Sequence, residues 1–269
     1  MNLISFNPFR SAGIPNVTYI KPELVLKEKE VIQKADWILF PEYWQVNLLV
    51  YAWKKRIFPS INSYHMGHDK VEMTRTLQAL VPEHVPYTLI AANNPGIKDR
   101  ILEEFPFPFV AKKVRSSMGQ GVYLIESTNQ LNDYLIKNDI IYIQEHLPIE
   151  KDLRVVYVGN RVISAYWRVG QGSFTNNVAQ GGKVEFSPVP REIIDLVEKV
   201  AADLGINHAG FDLAVVDDRI YFLEFNVMFG DQALSQANIS VAKLIQDYII
   251  NHTDQPEPPK PIFPSDRAS

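Results

Sequence analysis

A chain of 269 residues, 46% apolar and 22% charged, can bury a core and form one large or two to three small domains. Its net charge of −4, with no basic run, argues against nucleic acid as the main partner, and the absence of cysteine excludes disulfides, thiolate metal sites and a cysteine nucleophile. The first residues lack a basic region followed by a long apolar stretch, and no run approaches the roughly 20 apolar residues of a membrane span, so the expectation is a cytoplasmic protein with no membrane partner.

In chain order, residues 2–6 and 36–40 read as short buried strands. Between them, residues 22–34 are charged and helix-compatible, with Pro22 at a helix start. Residues 43–55 are apolar at helical spacing and end in Lys54, Lys55 and Arg56, which favour a helix C-terminus. This alternation predicts a small α/β unit over residues 1–62. A helix at 69–80 follows, then strands at 87–91 and 107–114 with a helix at 96–105 between them. Past a Gly-rich turn come a strand at 121–126, a helix at 129–137 with Ser127 as its N-cap, and a strand at 140–144.

From Asp152 the texture changes. Residues 153–158 and 161–169 form a hairpin around Gly159-Asn160, residues 170–182 read as a polar loop, and residues 191–204 form an amphipathic helix ended by Gly205. A hairpin over 211–226 and a helix at 240–250 close the chain, before a proline-rich tail at 253–269.

The hairpin carries the clearest chemistry. Alternate strand side chains share a face, so Glu224 and Asn226 point the same way. A three-residue loop, Asp217 to Arg219, would set Asp212 opposite Glu224, whereas a two-residue loop would turn Glu224 to the other face. Carboxylates that close need a cation between them, and hard oxygen ligands few in number suit Mg²⁺ shared with phosphates. The competing reading is an amphipathic hairpin whose acids face water.

Other residues offer weaker signals. Lys112 shares a strand face with Val110 and Val114; an anion such as phosphate would satisfy it, but taken singly it reads slightly better as a lysine snorkelling to the surface. The Ser116–Gly121 turn, with Ser117, Gly119 and Gly121, could cradle phosphate through its amides or be a flexible hairpin turn. Gln144, Glu145 and His146 sit at the change of texture, where clefts form. Arg154 and Arg168 sit in apolar strands, and Asp152, two residues before Arg154, suggests a local ion pair. Asn176 and Asn177 precede Gly181-Gly182 in a loop too long for a plain turn. His65 and His68 read as surface histidines, since no acid or histidine set completes a zinc site.

Taken together, a lysine before a glycine loop, a Gln-Glu hinge, an Asp-x-Arg strand, an Asn loop before Gly-Gly and an Asp…Glu-x-Asn hairpin resemble the ATP-grasp superfamily, in its RimK-like carboxylate–amine ligase branch, over residues 62–250. The resemblance implies an α+β fold in which two subdomains grip ATP, residues 63–145 and 146–252, after the short α/β domain of residues 1–62. It implies ATP and Mg²⁺, with Mn²⁺ as an alternative. Lys70 and Lys112 would meet the phosphates under the loop of Ser117, Gly119 and Gly121, with Gln144, Glu145 and His146 around adenine. Asp152 would hold the ribose beside Arg154, Arg168 and Asn177 would lie near the γ-phosphate and acyl group, and Asp212, Glu224 and Asn226 would bind the metal.

The implied activity joins a small-molecule or peptide carboxylate to an amine through an acyl phosphate, in a chain that could form a homo-oligomer. The alternatives are a kinase of the same fold and a non-catalytic nucleotide-binding protein. Two stretches depart from the family pattern. Val178-Ala179-Gln180 stands where relatives often have His-Arg, which leaves glutamate as a co-substrate open, and Met228-Phe229-Gly230 stands for Ser-Pro-Gly.

Overall fold

The structure, a computed structural model, describes residues 1–114, 121–170, 183–230 and 232–253, the first residue of the last segment by its backbone only. The expected phosphate turn with Ser117 and Gly119, the loop with Asn176, Asn177 and residues 178–182, and the tail from residue 254 lie outside the described residues.

Three sheets organise the described residues. The first contains β1 (Leu3–Ser5), β2 (Val17–Tyr19), β3 (Trp37–Leu39) and β4 (Ile57–Phe58), in the order β2-β1-β3-β4. Every pair is parallel. Parallel strands covered on both faces are apolar throughout, and β1 and β3 are buried at every residue. The helix expected at 22–34 is instead a 3₁₀ turn, Pro22–Leu24, and a separate short α1 (Lys29–Gln33). Val25 and Ile32 anchor its two ends, and the charged residues between them stay largely in water. The helix expected at 43–55 is α2 (Tyr43–Asn47) continued by one π turn, Leu48–Ala52, and Lys54 leaves it at φ 56°. Two further helices, α3 (Ile61–His68) and α4 (Lys70–Leu80), follow, capped by the side chains of Ser60 and Asp69.

The second sheet, β5 (Thr88–Ala92), β6 (Phe109–Lys112), β7 (Val122–Ile125) and β8 (Ile140–Glu145), runs β5-β8-β6-β7 and is antiparallel. Ile101 of α5 (Ile97–Glu104) and Leu131 of α6 (Thr128–Lys137) pack on it with Phe109, Ile141 and Ile143. Ser127 caps α6 as expected, accepting from the Gln130 amide.

The third sheet is antiparallel: β9 (Lys151–Val158), β10 (Arg161–Val169), β11 (Lys183–Glu185), β12 (His208–Val216) and β13 (Arg219–Asn226), in the order β11-β10-β9-β12-β13. One face, with Leu153, Val155, Phe211 and Phe225, packs on Met73 and Leu77 of α4 and Val197 and Val200 of α7 (Arg191–Asp203). On the other face, Val156 and Val158 meet Leu39 and Phe58 of the first sheet and Ile245 and Ile249 of α9 (Val241–Thr253), which follows the short α8 (Gln232–Gln236). Among the described residues no helix is long and apolar enough to cross a membrane.

The β12–β13 hairpin corrects the expected loop. Val216 pairs with Arg219, so the loop is the two residues Asp217 and Asp218, both at positive φ (50° and 60°), as a type I′ turn requires. Regular pairing from that turn would put Leu223 opposite Asp212. A register shift at this point leaves Leu223 as the extra residue of a β-bulge and sets Glu224 opposite Asp212. The bulge inverts the alternation, so Phe222 and Phe225 both reach the core while Glu224 and Asn226 turn away from it.

Candidate active site

The face of the third sheet opposite the α4–α7 core carries charge. Alternation along β9 sends Leu153 and Val155 into that core and Asp152 and Arg154 to the other side. Asp152, Arg154, Arg168 and Asp212 are all at most 8% exposed and form one ion-pair network. Arg154 grips both oxygens of Asp212, and Arg168 lies 2.6 Å from Asp152 and 2.9 Å from Asp212. The expected local pair of Asp152 with Arg154 is replaced by these cross-strand pairs. Side chains two apart on one strand lie about 7 Å apart, whereas Asp152 is the register partner of Arg168 and Arg154 that of Asp212, about 5 Å away. Gly210 makes the room: a Cβ there would meet Arg154 Nη1 at 2.7 Å and Phe229 Cβ at 3.0 Å.

Glu224 sits beside two lysines. Lys70, the first residue of α4, places its ammonium 3.0 Å from Glu224 Oε2, and Asn226 Nδ2 donates to Glu224 Oε1 at 3.3 Å. Burial alone would raise the Glu224 carboxyl, but Lys70 and Lys112 hold it below the usual carboxylate range. Lys112 does not snorkel; it is 7% exposed, with its ammonium 5.5 Å from the centroid of the Tyr142 ring. Burial pulls its pKa down to about 8, against the attraction of Glu224 and helped by the repulsion of Lys70. The aromatic face and the carboxylate make this buried position tolerable. Tyr134 fixes the strand beneath: its hydroxyl donates to the Lys112 carbonyl and accepts from the Tyr142 amide.

The hinge residues differ in setting. Gln144 is buried and donates to Thr88 Oγ1 at 2.8 Å, and Glu145 accepts from the Tyr87 amide at 2.7 Å. His146 is half-buried. Gly121, at φ 126°, resumes the described chain and accepts from the Lys113 amide.

Glu224 and Asn226 offer hard oxygen donors suited to Mg²⁺ held jointly with phosphates. Asp212, expected as their partner ligand, is opposite Glu224 in the backbone ladder, but both its oxygens are bound to arginine. Among the described residues no three acidic or histidine groups converge as a metal cluster. The cations beside these carboxylates are therefore Arg154 and Arg168 for Asp212, and Lys70 and Lys112 for Glu224.

A cleft of about 580 Å³ opens on Glu224, Asn226 and Arg154. The rest of its lining includes residues the sequence reading did not single out: Asn7 and Arg10 after β1, Phe40 and Tyr43 after β3, and Gly67 on α3. His68, exposed at the end of α3 as the surface reading expects, lines it too, with its ring stacked on Tyr43 at 3.6 Å. His65 meets Asn47 Oδ1 at 3.0 Å. The signal for Asn7, Arg10, Phe40 and Tyr43 is their place just past the carboxyl ends of the parallel strands β1 and β3.

Two sheet-bearing layers, one presenting a buried lysine and the other an acidic hairpin, with α4 between them, define an ATP-grasp protein. The chain belongs to the family of the RimK-like ATP-grasp domain, whose model matches residues 68–249. N-acetylaspartylglutamate synthase A of Homo sapiens is 32% identical over 157 residues, 55% of this chain and 40% of that protein. Ribosomal protein bS6–L-glutamate ligase of Salmonella paratyphi B is 28% identical over 214 residues, 73% of this chain and 71% of that protein. The crystal structure of a RimK domain ATP-grasp protein from Sphaerobacter thermophilus superposes with a TM-score of 0.70 at 15% identity, over 92% of this chain and 99% of that one. The chain thus spans about two fifths of the human relative's length, 40%.

Proposed function

We propose that the protein is an ATP-dependent carboxylate–amine ligase. A substrate carboxylate attacks the γ-phosphorus of ATP, giving an acyl phosphate and ADP; an amine then attacks the acyl carbon, forming the amide and releasing phosphate. The observation that carries this reading is Glu224, held by Lys70 beside Lys112 and Asn226 at the mouth of a substrate-sized cleft.

Phosphoryl transfer asks a protein for positioning and charge neutralisation rather than a nucleophile. Lys70 and Lys112 supply positive charge to the phosphates. Glu224 and Asn226 would hold Mg²⁺, whose charge when bound offsets that gathering on the phosphate oxygens. Asp212 joins them only by exchanging an arginine for the ion. Gln144, Glu145 and His146 would border the adenine, and Ser117, Gly119 and Gly121 would serve the phosphates. Arg168 and Asn177 serve the transferred phosphoryl and acyl groups. Asp152, tied to Arg168, orients that arginine rather than the ribose.

The relatives named above join glutamate to their partners by their names, and an amino acid or peptide is the first substrate class to screen. The test is ADP release with Mg²⁺ from pools of carboxylates and amines, followed by mass spectrometry of the product. An amide product supports the ligase; ADP release with a phosphorylated acceptor and no amide would replace it with a kinase.

A further inference from the structure

Lys112 and Tyr142 face each other across the second sheet. β6 and β8 pair Phe109 with Glu145, Val110 with Gln144 and Ala111 with Ile143, so the next step of the register sets Lys112 opposite Tyr142. Directly opposite side chains share a face of the sheet and interact. One face, with Phe109, Ala111, Ile141 and Ile143, is covered by α5 and α6. Lys112 and Tyr142 lie on the other, which meets α4. The Lys112 ammonium is 5.5 Å from the Tyr142 ring centroid, and the Tyr142 hydroxyl is 2.8 Å from Thr74 Oγ1.

All three side chains are buried, Tyr142 at 1% exposed and Thr74 at 3%. A ring face attracts a buried ammonium and so decides where it rests. Burial pushes the Tyr142 phenol up to about 12, so the group beside Lys112 is a neutral hydroxyl, and it bonds the Thr74 and Thr88 side chains. Thr74 stands one helical turn after Lys70, on the same face of α4. Lys70 holds Glu224 at 3.0 Å, while Met73 and Leu77 of the same helix pack in the core of the third sheet. α4 is therefore built into the layer of the third sheet. Tyr142 touches both the lysine of one layer and the helix that carries the lysine–carboxylate pair of the other.

We infer that Tyr142 is a positioning residue for the nucleotide phosphates: its ring sets the Lys112 ammonium, and its hydroxyl keeps that ammonium in register with Lys70 and Glu224. Being buried, it acts through Lys112 rather than on the ligand. The inference deepens the ligase reading and rests on its nucleotide site, not on the identity of the carboxylate or the amine. A tyrosine that only filled the core would affect stability alone. One that positions Lys112 affects binding of the phosphates and spares that of the nucleoside.

The test measures binding with Mg²⁺ to wild type, Tyr142→Leu, Tyr142→Phe, Thr74→Val and the double variant Tyr142→Phe with Thr74→Val. ATP is titrated by calorimetry, adenosine by saturation-transfer NMR, and the Tm of each protein is recorded. Tyr142→Leu removes ring and hydroxyl, and should weaken ATP about ten- to thirtyfold while adenosine stays within about twofold. Tyr142→Phe keeps the ring and should recover most of that loss. Tyr142→Phe and Thr74→Val break the same hydrogen bond, so each should weaken ATP about two- to tenfold, and the two together no more than either alone.

A folded Tyr142→Leu that keeps the wild-type ratio of ATP to adenosine affinity overturns the inference. Where Tyr142→Leu does not fold, the milder variants decide: losses that multiply in the double variant, or a lowered Tm with ATP affinity unmoved, overturn it equally. ATP binding that follows the expected pattern, with no amide formed from any substrate pool, sustains Tyr142 and sinks the ligase. Amide formation and ATP binding untouched by every variant sink Tyr142 alone, and a wild type that binds no ATP sinks both.

Discussion

The Lys70 ammonium lies 3.0 Å from the Glu224 carboxylate and ties the first turn of α4 to the bulged strand β13. The same helix bonds the second sheet through Thr74 Oγ1, 2.8 Å from the Tyr142 hydroxyl. One helix therefore sets the spacing between the lysine-bearing and the acid-bearing surfaces. Replacing Glu224 by Gln keeps the shape and removes the anion. We predict loss of ADP release by about a hundredfold or more, with an unchanged far-UV circular dichroism spectrum. Near-normal turnover in that variant would remove Glu224 from the chemistry.

Lys112 links stability to pH. Its folded pKa of about 8 lies below the ordinary lysine value of 10.5, so between these pH values the unfolded chain binds more protons. Stability must then rise with pH through this window, and the cost of the buried charge is full below it. Lys112→Met should flatten that rise and, at pH 7, gain up to about 3 kcal/mol in urea unfolding while weakening ATP binding. A variant less stable than wild type at pH 7 would show that Glu224 needs Lys112 more than burial penalises it.

Arg168 neutralises Asp152 and Asp212 together. Arg168→Met leaves two buried carboxylates sharing one guanidinium, and should cost about 3–5 kcal/mol. Adding Asp152→Asn should restore part of that loss, because the two changes act on one network. Additive losses in urea melts would show instead that the two residues are independent.

Gly210 is a spatial requirement. Gly210→Ala drives a methyl group against Arg154 Nη1 and Phe229. The expected cost is about 1–3 kcal/mol, read as a lowered Tm. An unchanged Tm would mean that Arg154 can leave Asp212 cheaply.

Much of this was legible in the chain. Apolar runs located the strands and amphipathic spacing the longer helices, and Ser127 announced the start of α6. Asp212 pairs with Glu224 by a different route from the one the sequence suggests. A local pattern carries no mark of a bulge, so alternation alone asks for a loop one residue longer, where Leu223 supplies the shift. The arginine partners of Asp212 are invisible in the sequence because they depend on strand pairing over long separations: Arg154 and Asp212, register partners of β9 and β12, lie 58 residues apart. Lys112 looked like a surface lysine because its anion and its aromatic neighbour come from distant strands. Arg10 carries no motif, and its place after β1 in the first sheet brings it to the cleft.

The most direct test of the account is calorimetric titration of ATP into the wild type and Glu224→Gln, each with and without Mg²⁺. The account predicts metal-dependent binding in the wild type that is lost in the variant. Equal binding with and without Mg²⁺, or an isotherm unaltered by the substitution, would contradict a nucleotide and metal site at Glu224.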